Sequence, residues 1–314
     1  MTKNDQVATT IRSEPSTKSG RIRHRLVRIG AQLFLLVCAI IWTYPVYGAI
    51  LNSVKTNPEV LSGSVSLLPK GFEWSMLLPS GWSQLGAVFH FENYGEAWYA
   101  ASFGQFFGNS VILTIADVFL VVAMSSMSGY VLGRYKFPGR RIIIGAFAVS
   151  AFLPEGYTII PIWEVIRALR IEDNIAGLIL AVSSGGHLLY ILLFAAFFAG
   201  LPNELEESAV MDGAGFFRVF ATIMLPLAKP ALATVAILEM IRAWNDFFIP
   251  LVFTANQPNL QTIAVGLYTQ FQGTNQVDLA TMAAGVVIAF MPIVIVYVLL
   301  QRYFVEGIAG AVKN

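Results

Sequence analysis

The chain has 314 residues, 56% hydrophobic and 12% charged, with a mean hydropathy of +0.66; a soluble globular domain carries roughly 25% charged residues. The net charge of +1 gives no bulk electrostatic attraction for nucleic acid. A single cysteine, Cys38, excludes an intrachain disulfide and any cysteine cluster for zinc or iron–sulfur.

Residues 1–25 are polar and basic and read as a disordered tail. Apolar runs follow near 31–52, 107–132, 142–162, 175–200, 230–253 and 279–301. Each is long enough to cross ~30 Å of hydrocarbon. The first starts too deep and is too long for a cleaved signal peptide, so it reads as a retained helix. The expected fold is an all-α integral membrane protein with six transmembrane helices. Lipid offers the backbone no hydrogen-bond partner, and a helix satisfies its own. A barrel would show shorter alternating segments.

Between the runs, the loop 53–103 is rich in Trp, Phe, Gly and Pro, and its part Gly71 to His90 is expected at the outer mouth or the membrane interface. "FPGRR", Phe137 to Arg141, closes a helical hairpin. "FLPEGYTIIP", Phe152 to Pro161, puts Pro154, Pro161 and Glu155 in or near the third helix, and the prolines predict a break or kink there. "SSGG", Ser183 to Gly186, interrupts the fourth run, either for close packing of small residues or as a functional break.

Basic residues set the orientation. The tail holds Lys3, Arg12, Lys18, Arg21, Arg23, Arg25 and Arg28, and the loop after the second run holds Arg134, Lys136, Arg140 and Arg141. Residues 53–103 carry only Lys55 and Lys70, and residues 254–278 carry neither Lys nor Arg. Both termini are therefore expected in the cytoplasm.

The stretch "ELEESAVMDGAGFFRVFATIMLP", Glu204 to Pro226, then also faces the cytoplasm. Asn203 is a candidate cap, and Glu204, Glu206 and Glu207 suit the positive end of a helix dipole. Asp212-Gly213 breaks that helix. Phe216, Phe217, Phe220, Ile223 and Met224 fall broadly on one face of a second helix, which Pro226 turns into the fifth run. The aromatic face needs cover, either from the membrane interface and the protein's own helix ends or from a groove on another protein.

Glu207-Ser208-Ala209, then Gly213, then Ile223-x-Leu225-Pro226, resembles the EAA loop of bacterial ABC import permeases, with Ser208 where the family usually has Ala. "LPLAKPALATVAI" (Leu225 to Ile237), "NYGEAW", "GRYKFPGRR", "WNDF" (Trp244 to Phe247) and "QRYFVEGIAGAVKN" (Gln301 to Asn314) resemble the maltose-type carbohydrate-uptake permeases. The likeness covers roughly 26–314 apart from an enlarged outer loop near 71–90. It implies one permease domain over 26–314, with outer loops at 53–103 and 254–278 and an EAA coupling loop at 201–226. It further implies a bacterial inner-membrane location, a second permease subunit, two cytosolic ATPase subunits and an external sugar-binding protein, towards which the 254–278 loop would reach. Glu207, Ala209, Asp212, Gly213, Phe216, Phe217, Phe220, Ile223, Leu225 and Pro226 become the expected ATPase-coupling residues. No G-x-x-x-x-G-K-[ST] phosphate loop exists in the chain. Neither cofactor nor catalysis is expected on it; ATP and magnesium would be bound by the partner ATPase.

Glu239, Arg242 and Asp246 share one helix face. Ionisable groups in a membrane cost at least ~2.5 kcal/mol each unless paired or wet. They form either an ion-pair ladder or part of the translocation path. In the second reading Trp244 stacks on a sugar while Asn245 and Asp246 bond its hydroxyls; Glu155, Tyr190, Asn109 and Asp117 are weaker candidates. His187 reads as a packed polar residue. The expected cargo is a neutral disaccharide or oligosaccharide, with a non-sugar solute such as glycerol phosphate as the alternative. A secondary transporter fits poorly without repeated halves, and His24, His90 and His187 form no catalytic set.

Overall fold

The computed structural model describes residues 18–63, 66–99, 102–150, 152, 156, 158–184, 187–273 and 278–311. Among them regular structure is helical throughout, as a chain that must satisfy its own backbone in hydrocarbon requires. The chain divides into two units, 1–51 and 52–314. The first holds helix α1 (Lys18–Asn52), which begins inside the stretch expected to be disordered. Its apolar part, Leu26–Asn52, has a hydropathy of 2.0.

The second unit opens with α2 (Asn57–Leu61), α3 (Trp82–Val88) and α4 (Glu92–Tyr99) in the loop 53–103. Then come α5 (Phe103–Arg134), α6 (Arg140–Ser150), α7 (Ile159–Ala168), α8 (Ile175–Ser183) and α9 (Leu188–Ala199). Next are α10 (Glu204–Met211), α11 (Phe216–Val219), a π-turn (Phe220–Met224), α12 (Leu225–Leu227) and α13 (Lys229–Asn245). The chain closes with α14 (Phe248–Phe253), α15 (Ile263–Gly273) and α16 (Leu279–Ala311).

By length and composition three helical segments can cross a membrane among the described residues: Leu26–Asn52, Phe103–Arg134 and Leu279–Leu299. The count rises to five if α8 with α9, and α11–α12 with α13, each form one bent span. The run expected over 142–162 is divided between α6 and α7, and Glu155 lies outside the described residues. The run expected over 230–253 also breaks: Asp246 turns extended, with ψ 121°, and α14 restarts two residues later. Pro250 sits in the first turn of α14, where its missing N–H leaves no helical bond unmade.

α5 packs against α9, α13, α8 and α15. Its approach to α9 depends on two glycines. A Cβ on Gly129 would lie 2.4 Å from the Cβ of Phe194, and one on Gly133 would lie 2.6 Å from the Ala195 carbonyl oxygen. Small residues let helix backbones close up where hydrophobic driving force is absent. The core beside this seam holds Tyr130, Phe194, Phe198, Val219, Met224 and Val235.

The loop 53–103 folds around a buried pair. Lys55 is 2% exposed; its ammonium donates to Ser66 Oγ at 2.8 Å and lies 3.6 Å from Glu59. Glu59 in turn accepts the Lys70 N–H. Asn93 donates to the Ser53 and Lys55 carbonyls. The loop is fastened to α16 by Asn57, which accepts the Leu279 N–H, and by Glu96, which accepts from Thr281. Trp74 and Trp82 remain exposed.

Gly133→Val should separate α5 from α9 and lower the thermal midpoint of the detergent-solubilised protein by about 5 °C or more. Gly145→Val, at a position with open space beside it, serves as the control. Equal midpoints would contradict the seam.

Candidate functional site

The segment after α9 builds the first part of the site. Glu204, Glu206 and Glu207 occupy the first turn of α10, the positive end of its dipole. Asn203, expected as a side-chain cap, instead has helical backbone angles, and its side chain makes no capping bond. The helix ends where expected. Gly213 has φ +80°, a region that costs a side chain dearly. The turn is closed by the Gly213 N–H to Val210 and the Ala214 N–H to Ala209, both at 2.9 Å. Beyond α11, the π-turn and α12, which contains Leu225 and Pro226, the chain bends by 79° into α13.

The segment has an inner and an outer side. Ala209, Val219 and Met224 are buried, with Ile223 packed against them. Phe216 and Phe220 each lie 5.3 Å from the ring of Tyr130 on α5. Phe217 is 72% exposed. The three phenylalanines expected to share one face are thus split: Phe216 and Phe220, four residues apart, lie on one side, while Phe217 is one residue, about 100°, further round the helix. Glu207, Asp212 and Met211 are also exposed.

Glu206 faces inward. Its Oε2 accepts from Arg134 Nε at 2.8 Å, and its Oε1 accepts from the hydroxyls of Tyr130 at 2.7 Å and Tyr135 at 3.0 Å. Burial pushes its carboxyl up, but the bonds from Arg134, Tyr130 and Tyr135 outweigh that and hold it below the usual carboxylate value. The sequence reading missed this set. In the sequence Arg134 bears only on topology and Glu206 only on the start of a helix, while Glu207 alone of the three glutamates is an expected coupling residue. Glu206 lies three residues before Ala209 and so shares its inward face; that spacing was the available signal.

The second part of the site lies between α5, α8, α9 and α13. Arg242 donates to Glu239 Oε1 through Nε at 2.8 Å and Nη2 at 2.5 Å. Nη2 also reaches the Val182 carbonyl at 3.1 Å and Asp117 at 3.4 Å, while Nη1 lies 3.6 Å from Asp246. Asp117 and Glu239 are fully buried, and Tyr190 on α9 stands beside Glu239. The ladder of Glu239, Arg242 and Asp246 is therefore formed, and Asp117 from another helix joins it.

Trp244 is 5% exposed; its Nε1–H donates to the Ala289 carbonyl, and its ring meets Phe107 edge-on at 5.6 Å. The face expected to stack on a sugar is packed inside the core of Phe103, Phe106 and Ile263. Asn245 is exposed and donates to the Ile241 carbonyl. Asn109 ties α5 to the 254–278 loop through the Asn259 and Gln261 carbonyls. An apolar groove of about 700 Å³ runs between α5 and α13, lined by Ile115, Val118, Phe119, Ala236, Ile237 and Met240 among others.

Comparison with known proteins adds the family. Residues 97–310 match the binding-protein-dependent transport system inner membrane component family. The chain belongs to this family. As a binding-protein-dependent transport permease it is a membrane component of a transport system and not an enzyme by itself. It is 31% identical over 281 residues to the diacetylchitobiose uptake system permease of Streptomyces coelicolor, covering 89% of this chain and 85% of the relative. It is 34% identical over 276 residues to the trehalose transport system permease of Mycobacterium tuberculosis, covering 85% and 97%. The arabinooligosaccharide transport permease of Bacillus subtilis is 29% identical over 292 residues, covering 91% and 96%. A chain of a bacterial ABC transporter that imports the acidic polysaccharide alginate shares the permease's fold, with a TM-score of 0.73, 24% identity and 93% and 100% coverage.

Arg242→Met strands two buried carboxylates, and breaking such a pair costs about 3–5 kcal/mol. The monodisperse yield of membrane-extracted protein should fall several-fold. Adding Asp117→Asn and Glu239→Gln should restore most of it. An unchanged yield for Arg242→Met alone would contradict the pairing.

Proposed function

We propose that this permease is one subunit of a bacterial ABC importer that carries a neutral disaccharide or oligosaccharide from an external binding protein into the cytoplasm. The observation that carries the reading is the helix–Gly213–helix segment, with an outward edge of Glu207, Met211, Asp212 and Phe217. Its inner side is packed on α5 and its chain runs directly into α13. A small apolar and charged edge of this kind suits a cleft on another protein, where few anchors dominate binding. In this reading the edge docks on a cytosolic ATPase subunit that binds ATP and magnesium, and the segment 201–226 transmits its closure to the membrane helices. Phe216, Phe220 and Ile223 hold the segment to its own domain, and Gly213, Leu225 and Pro226 shape it.

The sugar assignment is supported by relatives whose names specify diacetylchitobiose, trehalose and arabinooligosaccharides. The reading includes six spans: α1, α5, α6–α7, α8–α9, α13–α14 and α16, with both termini cytoplasmic as the basic residues require. A second permease would complete the path and cover apolar helix surface. Asn245, Asp246 and Tyr190 are the proposed path residues with some exposure. Trp244 would shape the wall from behind, and Glu155 remains a path candidate.

The test is co-expression with a second permease, the ATPase and the binding protein, followed by ATP-driven uptake of a labelled sugar panel into vesicles. Glu207→Lys and Gly213→Phe should insert normally yet reduce uptake at least about 10-fold. Normal uptake and sugar-stimulated ATPase activity in both variants would refute the reading.

A further inference from the structure

Two routes join α10 to the membrane helices. The covalent one passes through Gly213 at φ +80°, the four-residue α11, a π-turn, the three-residue α12 and a 79° bend. Each of these is a place where a push can be absorbed by bending. The second route is through side chains. Both oxygens of Glu206 are engaged, one by Arg134 and the other by Tyr130 and Tyr135, all at the C-terminal end of α5. The same guanidinium donates to the Leu201 and Pro202 carbonyls in the turn that feeds α10. One arginine therefore holds both the entry to α10 and its first turn. The pair is sheltered, with side-chain exposures of 5% for Arg134 and 16% for Glu206. Shielding from water strengthens a charge-assisted bond and weakens screening by salt.

α5 is suited to carry what it receives. It runs 32 residues without a proline, and Arg134 stands 17 residues from Asp117, about 25 Å along the axis at 1.5 Å per residue. Asp117 meets Arg242 of α13. A displacement of α10 thus reaches α13 twice, once along the jointed chain and once through a straight helix.

Building on the coupling reading above, we propose that Glu206 is a positioning residue of transport: its clasp on Arg134, Tyr130 and Tyr135 makes α5 the principal receiver of the coupling helix's motion. Glu206 touches neither substrate nor nucleotide. It acts by fixing α10 to α5.

The experiment uses the assembled transporter in lipid nanodiscs, in a Cys38→Ser background. Spin labels at Phe119→Cys on α5 and Leu238→Cys on α13 are each paired with Ile295→Cys on α16, and distances are read with and without trapped ATP. Glu206→Gln should retain its ATPase subunits, lose more than half of the ATP-dependent shift of the α5 pair, and reduce uptake about 10-fold. Glu206→Asp, which keeps the charge, should recover a large part of both. An α5 shift equal to wild type in Glu206→Gln would overturn the proposal. Should that variant lose its ATPase subunits, Tyr135→Phe, which removes one donor from the same carboxylate, carries the test with the same two outcomes. Full ATPase retention and unchanged shifts in Glu207→Lys would instead overturn the coupling reading itself, and this proposal with it.

Discussion

A polar group carried into hydrocarbon must bring its partner with it, and α5 is where this chain meets that demand. Asp117 in the middle of α5 faces Arg242, and Arg134 at its end faces Glu206. Neither contact is local in sequence: one spans 125 residues and the other 72. The bundle must close around α5 before either pair exists, so these contacts bind fold and registry together. The same requirement explains why Arg242 is surrounded by Glu239, Asp246 and the Val182 carbonyl as well. A lone guanidinium at that depth would be costly.

Close packing makes the arrangement stiff. Gly129 and Gly133 let α9 lie directly on α5, and Tyr130 from the same stretch of α5 is buried against Phe198, Phe216 and Phe220. The last turns of α5 thus meet α9, α11 and the π-turn together. In the proposed importer this is the junction between the ATPase-facing segment and the membrane, and its inner and outer sides have separate tasks. The inner aromatic residues join the segment to the bundle; the outer edge is left for a partner.

Much of the architecture was legible in one sequence. Long apolar runs gave helices, Asp212-Gly213 gave the break at Gly213 φ +80°, and "FPGRR" gave the turn between α5 and α6. Long-range pairing was not legible. Periodicity put Glu239, Arg242 and Asp246 on one face, but nothing local tells that Asp117 completes the set. The roles of Phe216 and Phe217 depend on where a four-residue helix points, which its neighbours decide. Trp244 shows the same limit: an indole suits a sugar face and a core equally, and the Ala289 carbonyl that its N–H bonds lies 45 residues away.

The central claim is that the segment from α10 to α12 has an outward edge for the ATPase and an inward edge for α5, and that Phe217 and Phe216 lie on opposite sides of that division. Photo-crosslinking from a benzoylphenylalanine at each position in the assembled transporter tests it most directly. The account predicts that position 217 links to the ATPase subunit while position 216 links within its own chain. Crosslinks to the ATPase from 216, with none from 217, would contradict it.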